Sequence, residues 1–343
     1  MNRPETAVVL INVGTPDSPS VKDVRKYLFE FLNDPRVIDI PWLLRKILVN
    51  LVIVPFRSPR SAKLYKMLLS DNGFPLLYHG TGVRDKLQEL LDNRFRVFLA
   101  MRYGNPNLKR VLEEIKKKGY SKIIALPLYP QYASSTTGTS LAVIMDRVKK
   151  WELIPEIRII NQFYDNPGFI DAFVKRIRSY NYSEYDHIVF SYHGLPLRHI
   201  DRVHPGRPSG SCSCENHLPE DGEYCYKATC HETTRLLVAK LGLDKGDYST
   251  AFQSGLSDKW IKPYTEDVIV SKAKEGSGKI LIVAPSFVAD CLETTVELGI
   301  EYDKLFLKAG GAHLEYVESL NDMPEWIMVL KDMITMDILK KRQ

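Results

Sequence analysis

Short apolar runs that are rich in valine and isoleucine, do not alternate, and close on a turn recur along this chain. Residues 7–13 run into Gly14-Thr15-Pro16, 96–101 into Tyr103-Gly104-Asn105-Pro106, and 123–128 into Tyr129-Pro130. Further on, residues 157–160 precede Asp165-Asn166-Pro167, 187–190 precede His193-Gly194-Leu195-Pro196, and 280–284 precede Pro285-Ser286. Runs of this kind belong to strands covered on both faces. Helical patterns lie between them, at 107–118, 138–150, 167–180 and 230–241, and strands alternating with helices build βαβ units and parallel sheets. The rhythm restarts near residues 151–155. The expected fold is therefore α/β, with two Rossmann-like halves at 1–150 and 151–318 and a cleft between them. A last amphipathic helix within 319–343 is expected to pack back on the first half. The length of 343 residues, more than one core usually supports, agrees with two domains.

Charge removes one class of partner. The net charge is only +5, and no basic run is long enough to make a nucleic-acid surface. Lys116-Lys117-Lys118 reads as a solvated helix end before Gly119. The start of the chain is short and polar and enters a strand-length apolar run, unlike a secretory segment, so the expected location is cytoplasmic. In that compartment five cysteines are expected to serve metal or cluster chemistry in preference to disulfides.

Two segments break the rhythm. Residues 40–56 are strongly apolar, interrupted by Arg45, Lys46 and Asn50, and too short to span a bilayer. They read either as a core helix plus strand or as an apolar lip that touches a membrane surface or holds a greasy ligand. Residues 199–230 are dense in Pro, Gly, Ser, His and Cys and form an inserted loop, long enough to be functional or disordered.

There is no G-x-x-x-x-G-K-[ST] and no G-x-G-x-x-G after a strand, so no nucleotide cofactor is expected. The carboxyl ends of the strands are then free for other chemistry. At those ends in the second half stand His193 and, beyond residues 280–284, Asp290 and Glu293. A histidine after a strand is commonly a plain turn residue. The acids sharpen the reading, because Glu293, Glu297 and Glu301 fall four apart and share one face of a helix. Like charges at that spacing repel slightly. An exposed face tolerates the repulsion, whereas a cation moving along the ladder would remove it. Oxygen ligands with one imidazole suit a labile divalent metal.

Phe190-Ser191-Tyr192-His193-Gly194-Leu195-Pro196 resembles the core motif of the ferrochelatase family. The resemblance extends over nearly the whole chain. It includes Leu10-Ile11-Asn12-Val13-Gly14-Thr15-Pro16, Arg102-Tyr103, and the stretch from Tyr129-Pro130-Gln131-Tyr132 through Ala133-Ser134 to Gly138. It continues in Phe252-Gln253-Ser254 with Trp260, and in Asp290-Cys291-Leu292-Glu293-Thr294 leading to Glu297. It implies a chelatase-like fold, a porphyrin in the cleft, His193 and Glu293 as the central metal-site pair, and insertion of Fe²⁺ into protoporphyrin IX to give protohaem. Porphyrin and ferrous iron are then the substrates, with a peripheral membrane surface on the inner face as a further partner. The chain departs from members with a C-terminal [2Fe–2S] cluster, since Ser134 replaces their cysteine and none follows Cys291.

Four other cysteines do gather. Cys212, Cys214, Cys225 and Cys230 lie in one loop, separated by one, ten and four residues. Four thiolates close around Zn²⁺ or a [2Fe–2S] cluster. The usual C-x₂-C zinc pairs are absent, and some bacterial ferrochelatases resemble this pattern with four internal cysteines on a [2Fe–2S] cluster, so the cluster is the expectation and zinc the alternative. His199, His204, His217 and His231 leave mixed ligation open.

Insertion requires loss of two pyrrole protons, loss of the iron's waters and a bent macrocycle, with no redox step. Near pH 7 a neutral His193 accepts a proton, while Glu293, with Glu297 and Glu301 behind it, holds iron or carries protons away. Rigid walls favour the bent shape. Tyr103, Tyr132 and Trp260 are candidates, reading equally well as core aromatics, and Ser134 is grouped with them as a substrate contact. Arg57, beside the apolar lip, is a candidate partner for a propionate or a plain surface charge. Competing classes are a chelatase for cobalt or coproporphyrin, and a metallochaperone or electron carrier that uses the cysteine loop alone.

Overall fold

The computed structural model describes residues 5–203 and 212–340. His204 and part of the cysteine loop lie outside the described residues. Among the described residues, eight strands form two four-stranded sheets, and every strand pairing in them is parallel. The first holds β1 (Thr6–Asn12), β2 (Phe95–Met101), β3 (Lys122–Pro127) and β4 (Glu156–Ile159), in the order β2-β1-β3-β4. The second holds β5 (His187–His193), β6 (Tyr248–Gln253), β7 (Lys279–Val283) and β8 (His313–Val317), in the order β6-β5-β7-β8. In each, the central strands are the non-alternating runs. β1 is buried along its whole length and β5 along all but its last residue, as strands under helices on both faces must be.

The helices begin and end where local chemistry tells them to. Ser20 caps Val21–Leu32 by accepting from Asp23 N, and Asn107 caps Leu108–Lys118 in the same way. The latter helix stops at Gly119, whose φ of 64° is left-handed, with its three lysines in the last turn where the carbonyls face out. Asn166 caps Pro167–Arg178, which opens with proline.

Two compact units result. One comprises the residues up to Tyr129, Ala133–Gln162, and those from Asp322 onward; the other comprises Pro130–Tyr132 and Phe163–Asn321. The restart expected near residue 151 comes too early, because β4 pairs with β3 and completes the first sheet. Its backbone groups need a partner, and the exposed edge of β3 supplies one. The terminal helix Pro324–Lys340 belongs to the first unit. Trp326, Ile327, Leu330 and Ile334 are buried, the helix contacts Pro75–Leu90, and Arg158 donates to the carbonyls of Met333 and Ile334.

The apolar segment is helical from Trp42 onward. Trp42–Ile47 continues through a turn of π-helix, Leu48–Ile53, into Val54–Leu68. The strand considered for its second half does not form: i→i+5 hydrogen bonds satisfy the backbone locally, and these residues pair with no sheet. Val49 is buried, but Trp42 is 64% and Phe56 79% exposed, with Leu43, Leu44, Ile47 and Leu51 also outside. Arg45 is buried, and its guanidinium donates to the carbonyls of Ile38 and Ile40. Among the described residues no helix is long and apolar enough to cross a membrane.

Candidate active site

Three strand ends of the second sheet supply the site. β5 ends on His193, whose register partner on β6 is Gln253. β7 runs on through Pro285-Ser286 to Asp290 and the π-helical stretch Leu292–Glu301. That stretch is anchored by Val296 and Leu298, with Tyr302 just beyond it, all buried. Glu293 and Glu297 are left half-buried.

His193 is held at several points. Its amide donates to Ser286 Oγ (3.3 Å) and its carbonyl accepts from the Tyr226 hydroxyl (2.8 Å). Nδ1 lies 2.7 Å from the Gly194 carbonyl. A carbonyl only accepts, so Nδ1 carries the proton and the basic lone pair sits on Nε2. Gly194 is required by close packing: a Cβ there would stand 2.7 Å from the Gln253 carbonyl and 3.5 Å from the Trp260 ring. Trp260, bridged to Pro196, thus lies beside the histidine's turn.

Gln253 links the strand ends. It accepts from Ser191 Oγ and donates through Nε2 to the Glu293 carbonyl (3.0 Å). Ser254 follows with a left-handed φ of 59°, and its hydroxyl reaches both carboxylate oxygens of Glu297 at 2.9 and 2.8 Å. The Tyr302 hydroxyl donates to the same carboxylate (3.0 Å). Burial pushes the Glu297 carboxyl above its ordinary range; the Ser254 hydrogen bond opposes that shift, the Glu293 charge adds to it, and His193 opposes it. Glu297 therefore feels both other groups of the expected site. Glu301 is exposed.

Other expected residues fall elsewhere. Asp290 is a buried structural carboxylate, its Oδ1 accepting from Thr294 Oγ1, Tyr316 OH and Ser319 N and its Oδ2 from Asn321 Nδ2. Tyr103 is 0% exposed in the first unit, where its hydroxyl donates to Asp34 and Arg102 lies over its ring. Its expected role as a wall gives way to a core role, since the ring presents no free face. Asp34 also pairs with Arg102 and accepts from Thr139, a buried polar centre the sequence reading missed. Ser134 accepts from Arg36, and Arg57 is exposed. Tyr132 packs edge-on against Tyr224 of the cysteine loop.

Cys214, Cys225 and Cys230 are buried, Cys212 is half-buried, and none is in a disulfide. Burial, then a hydrogen bond with Cys212, pushes the Cys214 thiol up to about 12. Cys225 and Cys230 are raised as well, chiefly by burial. The loop has ordering contacts of its own: Lys227 pairs with Glu215 (2.7 Å), and Arg235 donates to the Cys214 carbonyl (3.1 Å). Among the described residues, no three His, Cys, Asp or Glu side chains are grouped so as to hold a metal ion.

Two parallel α/β sheets, an imidazole and carboxylates at strand ends, and no phosphate loop define a chelatase-like protein. SirB from Bacillus subtilis shares that fold, with a TM-score of 0.53 at 11% identity over 96% of this chain and 94% of its own. The ferrochelatase family pattern matches residues 5–338. A ferrochelatase of Coxiella burnetii is 41% identical over 338 residues, 97% of this chain and 94% of its own. One of Legionella pneumophila is 39% identical over 335 residues, 95% of this chain and 98% of its own. The chain belongs to the ferrochelatase family, and it is a metal-insertion enzyme of haem biosynthesis.

Proposed function

We propose that His193 and Glu293 insert Fe²⁺ into protoporphyrin IX, with Glu297 holding the second position on the iron side. The observation that carries this reading is the hydrogen-bonded link from β6 to both acids: Gln253, the register partner of His193, donates to the Glu293 carbonyl, and Ser254 next to it holds the Glu297 carboxylate. The pyrrole protons leave in turn to the Nε2 lone pair of His193, which passes the first to solvent before it takes the second, while Nδ1 stays committed to the Gly194 carbonyl. Ferrous iron exchanges waters for the carboxylates of Glu293 and Glu297, then for the four pyrrole nitrogens, and two protons are released. The Trp260 ring, pinned beside Gly194, serves as a wall for the bent macrocycle. Anaerobic turnover by Glu293→Gln tests the assignment. Loss of insertion with porphyrin binding kept supports it, and near-normal turnover overturns it.

Cys212, Cys214, Cys225 and Cys230 are proposed to hold a [2Fe–2S] cluster. The donor chemistry supports it: four sulfurs lie in one loop and none is in a disulfide, Cys212 and Cys214 pair, and Lys227 beside Cys214 and Cys225 would offset the charge of deprotonated ligands. A cluster would tie the loop through sulfur–iron bonds without taking part in insertion. Reddish protein with about two irons and two acid-labile sulfides per chain supports the reading. Colourless protein with one zinc moves it to a structural Cys₄ site.

The exposed helix from Trp42 to Phe56 is proposed to rest on an anionic bilayer surface, its apolar side chains in the headgroup region. Arg45 takes no part, and Lys46 remains as the basic residue of that face.

A further inference from the structure

Gln253 is 1% exposed, and its side chain joins two other elements of the second unit to the end of β6. It sits opposite His193 in the β5–β6 register, and its backbone carbonyl accepts from the Gly194 amide (2.8 Å). Its side-chain oxygen accepts from Ser191 Oγ (3.1 Å), two residues before His193, and its side-chain nitrogen donates to the Glu293 carbonyl (3.0 Å). A flipped amide would set two acceptors against each other at Glu293, so that carbonyl fixes which way the amide points. The one Ser191 proton is then spent on Gln253. Thr265, which opens the helix Thr265–Lys274 and lies 2.8 Å from Ser191 Oγ, must therefore donate to it. The result is a chain of hydrogen bonds with one direction, from Thr265 through Ser191 and Gln253 to Glu293. Thr265, Ser191 and Gln253 are all buried, so water does not replace a lost member.

We propose that Gln253 is a positioning residue for iron insertion, one that fixes the backbone of Glu293 against the end of β5 where His193 stands. Asp290 ties the same turn to Tyr316, Ser319 and Asn321, on and after β8, whereas Gln253 ties it to β5 and β6. Gln253 grips the main chain and not the carboxylate, so it places the acid without taking up the oxygens that would meet iron. At a reacting centre a misplacement of about 1 Å is costly, and a bond from the register partner of His193 is a short route for keeping the two groups in step. The consequence for iron rests on the proposed role of Glu293; the hold on its carbonyl does not.

Gln253→Met keeps the length of the side chain and removes both of its bonds. In the folded, full-length variant kcat/KM for Fe²⁺ is expected to fall about tenfold, the order of one hydrogen bond, with KM for porphyrin unchanged. A purely structural loss would not single out iron. If Gln253→Met does not fold, Ser191→Ala removes the donor that holds the amide at its other end, and is expected to lower kcat/KM for iron about threefold. The hold itself is read without turnover, by amide hydrogen exchange. Residues 292–297 are expected to exchange faster in the variant, with β1 and β7 unchanged. Exchange is blind to what Glu293 does. Failure of the iron assignment, seen as near-normal turnover by Glu293→Gln, is therefore told apart from failure of the hold. Unchanged exchange at 292–297 in a folded variant, faster exchange with wild-type iron kinetics, or equal losses for iron and porphyrin would overturn the proposal.

Discussion

Ser254 holds Glu297 from a backbone conformation that serine rarely adopts. At φ 59° its hydroxyl reaches both carboxylate oxygens, so local strain is spent on aiming one acid beside His193 and Glu293. Ser254→Ala is expected to raise KM for iron severalfold with KM for porphyrin unchanged. Ser254→Gly loses the same bond but relieves the left-handed strain, and should be more stable to unfolding than the alanine variant by about 1 kcal/mol. Equal stability of the two would remove strain from the explanation.

The carboxylate ladder is unequal. Glu297→Gln is expected to lower kcat/KM for iron by about tenfold or more, the loss of one charged contact. Glu301→Gln, at an exposed position, should change it by no more than about twofold. Steady-state kinetics at fixed porphyrin separate them, and equal losses would restore Glu301 to the route.

On the apolar helix the two basic residues should behave differently. Trp42→Asp with Leu44→Asp is expected to abolish co-sedimentation with anionic vesicles while leaving stability unchanged, since both side chains are exposed. Arg45→Ala should instead cost about 1–3 kcal/mol of stability by leaving the Ile38 and Ile40 carbonyls without their donor. Vesicle binding lost through Arg45→Ala without loss of stability would return that residue to the surface.

Burial pushes His187 and His231 down to about 4. The unfolded chain, with histidines near 6.5, then binds more protons than the folded one between about pH 6.5 and 4. Stability is complete above that window and is lost as pH falls through it. The urea midpoint should drop between pH 7.5 and 5, and His187→Gln should reduce the drop. A midpoint independent of pH would mean that neither ring is buried neutral.

Strand positions were legible because β1, β3, β5 and β7 are apolar on both faces and end in turn residues, so composition alone marks them. β4 was placed with the wrong sheet because a short, half-buried edge strand carries little signal of which neighbour it pairs with. His193, Glu293 and Glu297 were readable from strand ends and spacing. Asp290 was misread because a buried acid tied to the fold by four donors looks, in sequence, like one that is free. Tyr226 and Ser286 left no local mark, since their role comes from elements that meet only in the fold. Ser254 was part of a quoted motif, yet its left-handed φ is invisible until the backbone is seen.

The central claim is that His193, at the end of β5, takes the pyrrole protons during iron insertion. The direct measurement is anaerobic incubation of the full-length protein with Fe²⁺ and protoporphyrin IX, following loss of free-base porphyrin fluorescence, for wild type and His193→Ala. Rapid quenching by the wild type and none above the uncatalysed rate by a folded His193→Ala protein is the expected result. Quenching by His193→Ala at a rate near wild type would contradict the account.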